Sequence, residues 1–365
     1  MDKRTKPFIG ITIGDFNGIG PEIILKTVSD PRILTFCTPV IFGSGRLFNK
    51  LRKATQGEQK PAGTENQAAA TEKDSKLPQP EQLHFSQTRP DEPLSGRKVN
   101  MVNCWEEDYN PTPGKPTPES GKCALLSIQM ASKYLEAGKI DAVVTAPIDK
   151  DNIQSDEFKF PGHTEFFTSY FKAEESLMLL VSGQLRVATL TGHVPLKDVA
   201  QRITAKLLRT KLLLLAGSLQ KDFGILKPRM AVLGLNPHAG ENGLLGTEEK
   251  EIILPVIKEL REKGMLVYGP YPADGFFATG AWKKFDGTMA TYHDQGLVPF
   301  KTLAFDSGVN FTAGLSVVRT SPDHGTAYDI AGKGLAIETS FREALYAACD
   351  IYKQRAFTPE YALSK

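Results

Sequence analysis

Short apolar runs rich in β-branched residues return along this chain, each closed by glycine or a polar turn and followed by an amphipathic stretch. Phe8–Ile13 is the first; Gly14-Asp15 ends it, and Pro21-Glu22-Ile23-Ile24-Leu25 starts a helix, with proline in the first turn and an acid beside it. Pro39–Phe42 is the next run, closed by Gly43. Structure resumes at Lys98–Val102, and Ile140–Thr145, Met230–Leu235, Thr288–Tyr292 and Leu315–Val318 read as further strands. Leu177–Val181 and Leu185–Leu190 flank Ser182-Gly183-Gln184 as a hairpin. Helices are expected from a Ser120 cap to Gly138, over Leu196–Leu219, over Thr247–Lys263 and over Phe341–Tyr352. Strands that alternate with helices in this way predict an α/β fold, a parallel sheet covered by helices.

A chain of 365 residues is long for one core and suits two α/β domains. With 44 basic and 42 acidic residues the net charge is only +2, so nothing in it demands nucleic acid or an anionic membrane. Apolar runs of membrane-spanning length and a signal h-region are missing, and the four cysteines form no C-x-x-C pair; a cytoplasmic protein with free thiols is expected. Residues 53 to about 95 are polar and poor in large apolar side chains, which predicts a flexible surface insertion. NPTPGKPTPE, residues 110–119, reads as a proline-rich connector.

Three of the six histidines follow apolar strands: His193 after VATLTG, His238 after AVLGLNP and His293 after MATY. The carboxyl edge of an open α/β sheet is where ligands bind. A histidine at a strand end is ordinarily a hydrogen-bonded loop residue, but three of them suit a divalent metal with open positions; the residues alone leave both readings open. His163 and Thr164, in FPGHTEFF, have helix-start character, which welcomes an anion and also fits a plain cap. The glycines of GDFNGIGPE lack the G-x-G-x-x-G and P-loop spacings, so a tight turn feeding a helix is as good a reading as a binding loop. HGTAYDIAGKG, residues 324–334, has small residues for close backbone approach together with an acid, and could hold an adenosine. Lys301, Asn310 and Arg319 could clamp phosphate and carboxylate, although isolated cations are usually just solvated.

GDFNGIGPE, TAPIDK, GHTEFF, TGHVPL, LNPHAGENG, YPADGFF, YHDQGLVPFK and VRTSPDHGTAYDIAGKG occur in that order. Together they resemble the 4-hydroxythreonine-4-phosphate dehydrogenase family of vitamin B6 synthesis over almost the whole chain outside the insertion. The first and last also resemble isocitrate and isopropylmalate dehydrogenases. The resemblance implies two α/β domains of the isocitrate/isopropylmalate dehydrogenase-like type with an active-site cleft between them. Residues 1–145 and 305–365 would form a terminal, nucleotide-binding domain, and 146–304 a central one with the metal ligands and the interface of a homodimer. It implies a divalent metal (Zn, Mg, Mn or Co) on His193, His238 and His293, and a small phosphorylated hydroxy-amino-acid substrate on His163, Thr164, Lys301, Asn310 and Arg319. NAD or NADP would lie on His324, Gly325 and Asp329. Asp274, Asp294 and Lys301 would serve catalysis, with Asp294 placed to orient the metal site. Phe16-Asn17 replaces the family's usual Pro-Ala pair, a change expected to alter the turn and leave the chemistry.

The implied reaction is oxidation of 4-phosphooxy-L-threonine followed by decarboxylation. Rival expectations are a dehydrogenase of D-threonate or D-erythronate 4-phosphate, a metal-dependent hydrolase or aldolase, and a non-catalytic sugar-phosphate binding protein.

Overall fold

In a computed structural model of the chain, the described residues are 6–57, 85–89 and 92–357. They form twelve strands and eleven α-helices, in two compact units: Met1–Pro161 with His324–Cys349, and Gly162–Asp323 with Asp350–Lys365. These boundaries fall later than the expected ones after Thr145 and Ala304. The stretch after Thr145 bonds back into the first unit through Asn152, which donates to Asp15 and to Thr117 O. The strands that follow Ala304 pair with strands of the second unit.

The first unit holds β1 (Phe8–Thr12), α1 (Gly20–Ser29), α2 (Ile33–Phe36), β2 (Thr38–Gly43), α3 (Gly45–Gly57), β3 (Ser86–Thr88), β4 (Asn100–Asn103), α4 (Pro118–Glu136) and β5 (Ala142–Thr145). Its strands run β3-β4-β2-β1-β5, every pair parallel, as the alternation of strand and helix predicts. Helix α4 covers the centre, where Ser127 accepts from Ile13 N at 3.0 Å and donates to Phe42 O at 2.7 Å. Thr117, not Ser120, is the N-cap of α4: Pro118 takes the first helical position and Ser120 returns the bond as the partner in a capping box. The expected insertion is narrower at both ends, since α3 reaches Gly57 and β3 pairs with β4. Residues 58–84, its middle, lie outside the described residues.

The second unit holds α5 (His163–Tyr170), β6 (Leu177–Ser182), β7 (Leu185–Thr189), α6 (Val199–Arg202), α7 (Ala205–Lys221), β8 (Arg229–Leu233), α8 (Leu254–Glu262), β9 (Leu266–Tyr271), α9 (Ala273–Ala278), β10 (Gly287–Ala290), α10 (His293–Ala304), β11 (Val309–Ala313) and β12 (Arg319–Pro322). Helix α11 (Thr339–Phe357) is the last described element. The strand order is β12-β11-β6-β7-β10-β8-β9. The pairs from β12 to β7 are antiparallel and those from β7 to β9 parallel, so the sheet is mixed where a parallel one was expected. The β6–β7 hairpin forms as predicted. A second hairpin, β11–β12, replaces the strand expected at Leu315–Val318; that stretch is the connection, and its apolar Leu315 and Val318 are buried as loop residues.

Two expected helices are shorter. Thr204 caps α7 by accepting from Leu207 N at 3.2 Å, which breaks the run from Leu196 to Leu219 into separate pieces. Before α8, residues 249–253 make a wider π-type turn. Strand β9 was not expected: Gly269 and Pro270 interrupt LVYGPY, and the strand sits at the sheet edge, where proline is tolerated. Among the described residues no helix is long and apolar enough to cross a membrane.

Candidate active site

Strands β7, β10 and β8 are adjacent and parallel, so their carboxyl ends lie along one edge of the second unit. His193 follows β7, His293 is the first residue of α10 after β10, and His238 follows β8. The His193 and His293 rings meet with centroids 5.5 Å apart. His293 Nδ1 lies 2.7 Å from Asp294 Oδ1, a bond that fixes the ring and leaves Nε2 for a ligand.

His238 does not join this pair, and among the described residues no three His, Cys, Asp or Glu side chains converge as a metal site. It sits in a left-handed turn in which His238, Ala239, Glu241 and Asn242 all have positive φ, between 43° and 57°. Each such non-glycine residue costs roughly 1–2 kcal/mol and must be held by its surroundings. The anchor is Glu249, 3% exposed on the π-type turn, which accepts from Asn236 N at 2.7 Å and Asn236 Nδ2 at 3.0 Å. The turn thus presents His238 at the surface, beside exposed Leu244 and Leu245.

The expected anion-binding residues also lie in the second unit. His163 and Thr164 form the first turn of α5, whose N-cap Gly162 supplies no side-chain acceptor. Arg319 opens β12 and is 2% exposed, with Nη1 donating to Thr312 Oγ1 at 3.1 Å. Burial pulls its pKa down to about 9, Glu165 of α5 pulls the other way, and the guanidinium stays charged at neutral pH. Asn310, on the neighbouring strand β11, has a buried Oδ1 with no hydrogen-bond partner among the described residues. Lys301, in the last turn of α10, donates to Asp323 O at 3.2 Å and has its Nζ 3.5 Å from Asp323 Oδ1.

Asp323 is a further candidate site residue, which the sequence reading did not single out. Burial pushes its carboxyl up, while Lys301 and then His293 pull it down, so one acid feels both an expected substrate contact and an expected metal ligand. Its signal was its position in SPDHG, directly after a strand. Asp274, in the first turn of α9, and Asp294 are both exposed.

In the first unit the 324–334 loop leans on the GDFNG turn. Ile19 N donates to Thr326 O at 2.9 Å, and a Cβ on Gly18 would lie 2.8 Å from the same oxygen, so glycine is needed for the approach. At the far end, Lys26 donates to Gly334 O at 2.9 Å and Ala336 O at 2.6 Å. Within this frame Gly325 and Asp329 are exposed, and His324 Nδ1 lies 3.1 Å from Gly325 O.

The family model described as pyridoxal phosphate biosynthetic protein PdxA matches residues 35–348. The chain belongs to the PdxA family. It is 48% identical to a 4-hydroxythreonine-4-phosphate dehydrogenase of Bacteroides thetaiotaomicron, over 97% of this chain and 91% of the relative. It is 37% identical to a putative D-threonate 4-phosphate dehydrogenase of Oceanobacillus iheyensis, over 95% of this chain and 98% of that one. A crystal structure of a 4-hydroxythreonine-4-phosphate dehydrogenase from Burkholderia phymatum superimposes with a TM-score of 0.73 at 35% identity, over 95% of this chain and 99% of the other. PdxA membership leaves the hydrolase, aldolase and non-catalytic readings without support.

Proposed function

We propose that this PdxA-family chain oxidises the secondary hydroxyl of 4-phosphooxy-L-threonine to 2-amino-3-oxo-4-phosphooxybutanoate, with NAD or NADP as acceptor. The product loses CO2 to give 3-amino-2-oxopropyl phosphate for pyridoxine 5′-phosphate synthesis. The observation that carries this reading is the company the imidazole pair keeps in the second unit. The His193–His293 pair stands at the edge where Asp323, in the field of His293, also holds Lys301.

Two imidazoles at one spot fit a divalent ion, and neutral donors leave such an ion electrophilic. A Zn, Mg, Mn or Co ion there supplies Lewis acidity to the substrate hydroxyl and to the later ketone. Arg319 and Lys301 neutralise the phosphate and carboxylate, and the bare Oδ1 of Asn310 accepts from a substrate N–H or O–H. His163 and Thr164 present the N–H groups of the α5 N-terminus to the phosphate. Asp294 orients His293, and with Asp274 it is the candidate proton acceptor. In the first unit Asp329, His324 and Gly325 receive the adenosine part of the dinucleotide.

A homodimer with its active sites at the subunit interface brings the exposed His238 of one copy to the His193–His293 pair of the other. Mixing His193→Ala and His238→Ala chains tests this: hybrid dimers then contain one intact site and regain turnover, whereas a site built within one chain stays dead in every combination.

The deciding assay mixes metal-replete protein with 4-phosphooxy-L-threonine and NAD+ or NADP+ and follows reduced-nicotinamide absorbance beside an EDTA-treated control. A metal-dependent rise is expected. The D-threonate 4-phosphate name carried by one relative favours a second reading, so D-threonate and D-erythronate 4-phosphates belong in the same panel. Turnover of those two alone would replace the first substrate, and no reduction with any of them would overturn the dehydrogenase.

A further inference from the structure

Asp15 has no role in the chemistry above, yet its side chain accepts hydrogen bonds from four different residues. It is 1% exposed. Oδ1 accepts from Asn17 N at 2.9 Å. Oδ2 accepts three further bonds: from Ser120 Oγ at 2.8 Å, Asn152 Nδ2 at 3.0 Å and Tyr328 OH at 2.9 Å. The four donors come from the GDFNG turn, the first turn of α4, the segment after β5 and the 324–334 loop. Asn152 Nδ2 also donates to Thr117 O at 2.9 Å, which locks the α4 cap into the same cluster.

We propose that Asp15 is a positioning residue for the dinucleotide: by holding the Tyr328 hydroxyl it fixes the peptide that carries His324 and Asp329 in the shape that receives the adenosine. This rests on the reading of the 324–334 loop as the nucleotide site. A carboxylate is suited to the task because charge-assisted hydrogen bonds are shorter and stronger than neutral ones. An asparagine at this position could accept at only one atom, so its amide would meet donors where the carboxylate offers a second acceptor. Burial pushes the Tyr328 phenol up, and Asp15 and then Asp149 add to the effect, so the hydroxyl stays a donor. Ala327, next to Tyr328, has φ 44°, a left-handed conformation that something must hold in place. Of the two bonds from the GDFNG turn to the loop, the Ile19 N–Thr326 O bond is made by backbone alone, so the Asp15–Tyr328 bond is the one that side-chain chemistry controls.

The test uses the full-length, metal-replete enzyme with Tyr328→Phe, Asp15→Asn, the double variant and Asp329→Ala. NADH affinity is read by fluorescence without substrate, and kcat and the KM of the phosphorylated substrate at saturating dinucleotide. Tyr328→Phe and Asp15→Asn should each weaken NADH binding about tenfold, the scale of a lost buried hydrogen bond to a charged group. The double variant should be no worse than Asp15→Asn, because the two act as one unit. In Tyr328→Phe, kcat and substrate KM should stay within about twofold, as expected of sites that do not share partners.

If Asp329→Ala weakens NADH binding and Tyr328→Phe does not, the proposal fails and the nucleotide loop stands. If neither variant does, the loop reading falls and takes the proposal with it. A parallel loss of NADH affinity, kcat and substrate affinity in Tyr328→Phe would show a general structural role and also overturn it. Should Asp15→Asn fail to fold, Tyr328→Phe still decides, since it keeps the carboxylate and its other three donors.

Discussion

The polar cluster around Asp15 in the first unit and the expected substrate residues of the second differ in how their bonds are made. Around Asp15 every bond closes on the protein itself: four donors meet one carboxylate, and the loop it steadies is held at its far end by Lys26. The expected substrate residues of the second unit are less completely engaged. Asn310 keeps a buried acceptor with no partner among the described residues, Arg319 carries a buried charge, and His238 rides on a strained left-handed turn. Burying polar or charged groups without full compensation costs free energy. The Asp15 cluster is therefore closed before any ligand arrives, whereas Asn310 keeps an acceptor that a ligand could fill.

The largest expected effect removes what the second unit is built for. His193→Ala or His293→Ala should lose bound metal and lower kcat by on the order of a thousandfold or more, because Lewis-acid stabilisation is worth several kcal/mol. Metal analysis beside single-turnover rates checks this, and full metal content at full rate would remove the imidazole pair from the site. Arg319→Ala should raise substrate KM by about a hundredfold, the upper range for a charge-assisted bond, with metal content unchanged; a fall in metal content of equal size would merge the two functions.

The third prediction bears directly on the contrast. Asn310→Leu should leave the free enzyme as stable or more stable by about 1 kcal/mol, since it replaces an unpartnered buried acceptor by an apolar group, while weakening substrate. A clear drop in Tm would show that Asn310 is satisfied and would break the comparison. The smallest effect on activity lies in the first unit. Gly18→Ala places a Cβ against Thr326 O and should destabilise the protein by about 1–3 kcal/mol, with a few-fold rise in dinucleotide KM. Denaturant melts beside dinucleotide titrations measure both, and an unchanged KM would detach the loop from the turn.

Much of this was legible in local pattern. The β6–β7 hairpin was readable from two apolar runs around Ser182-Gly183-Gln184, and the three histidines could be placed at strand ends one by one. Thr204 and Thr117 were harder, because a cap competes with a longer helical pattern and the pattern alone does not show which wins. Strand β9 was hidden by its own glycine and proline.

By itself the sequence determined the alternation of strand and helix and the carboxyl-end positions of His193, His238 and His293, because these follow from periodicity and backbone sterics within a few residues. Only the tertiary structure decided that β7, β10 and β8 lie side by side, out of chain order. It also decided that His193 meets His293, that Asp323 holds Lys301, and that Asp15 reaches Tyr328. Each of these joins segments far apart in the chain, and no local pattern encodes a partner; sheet order and the burial of shared polar atoms select it only when the whole core closes.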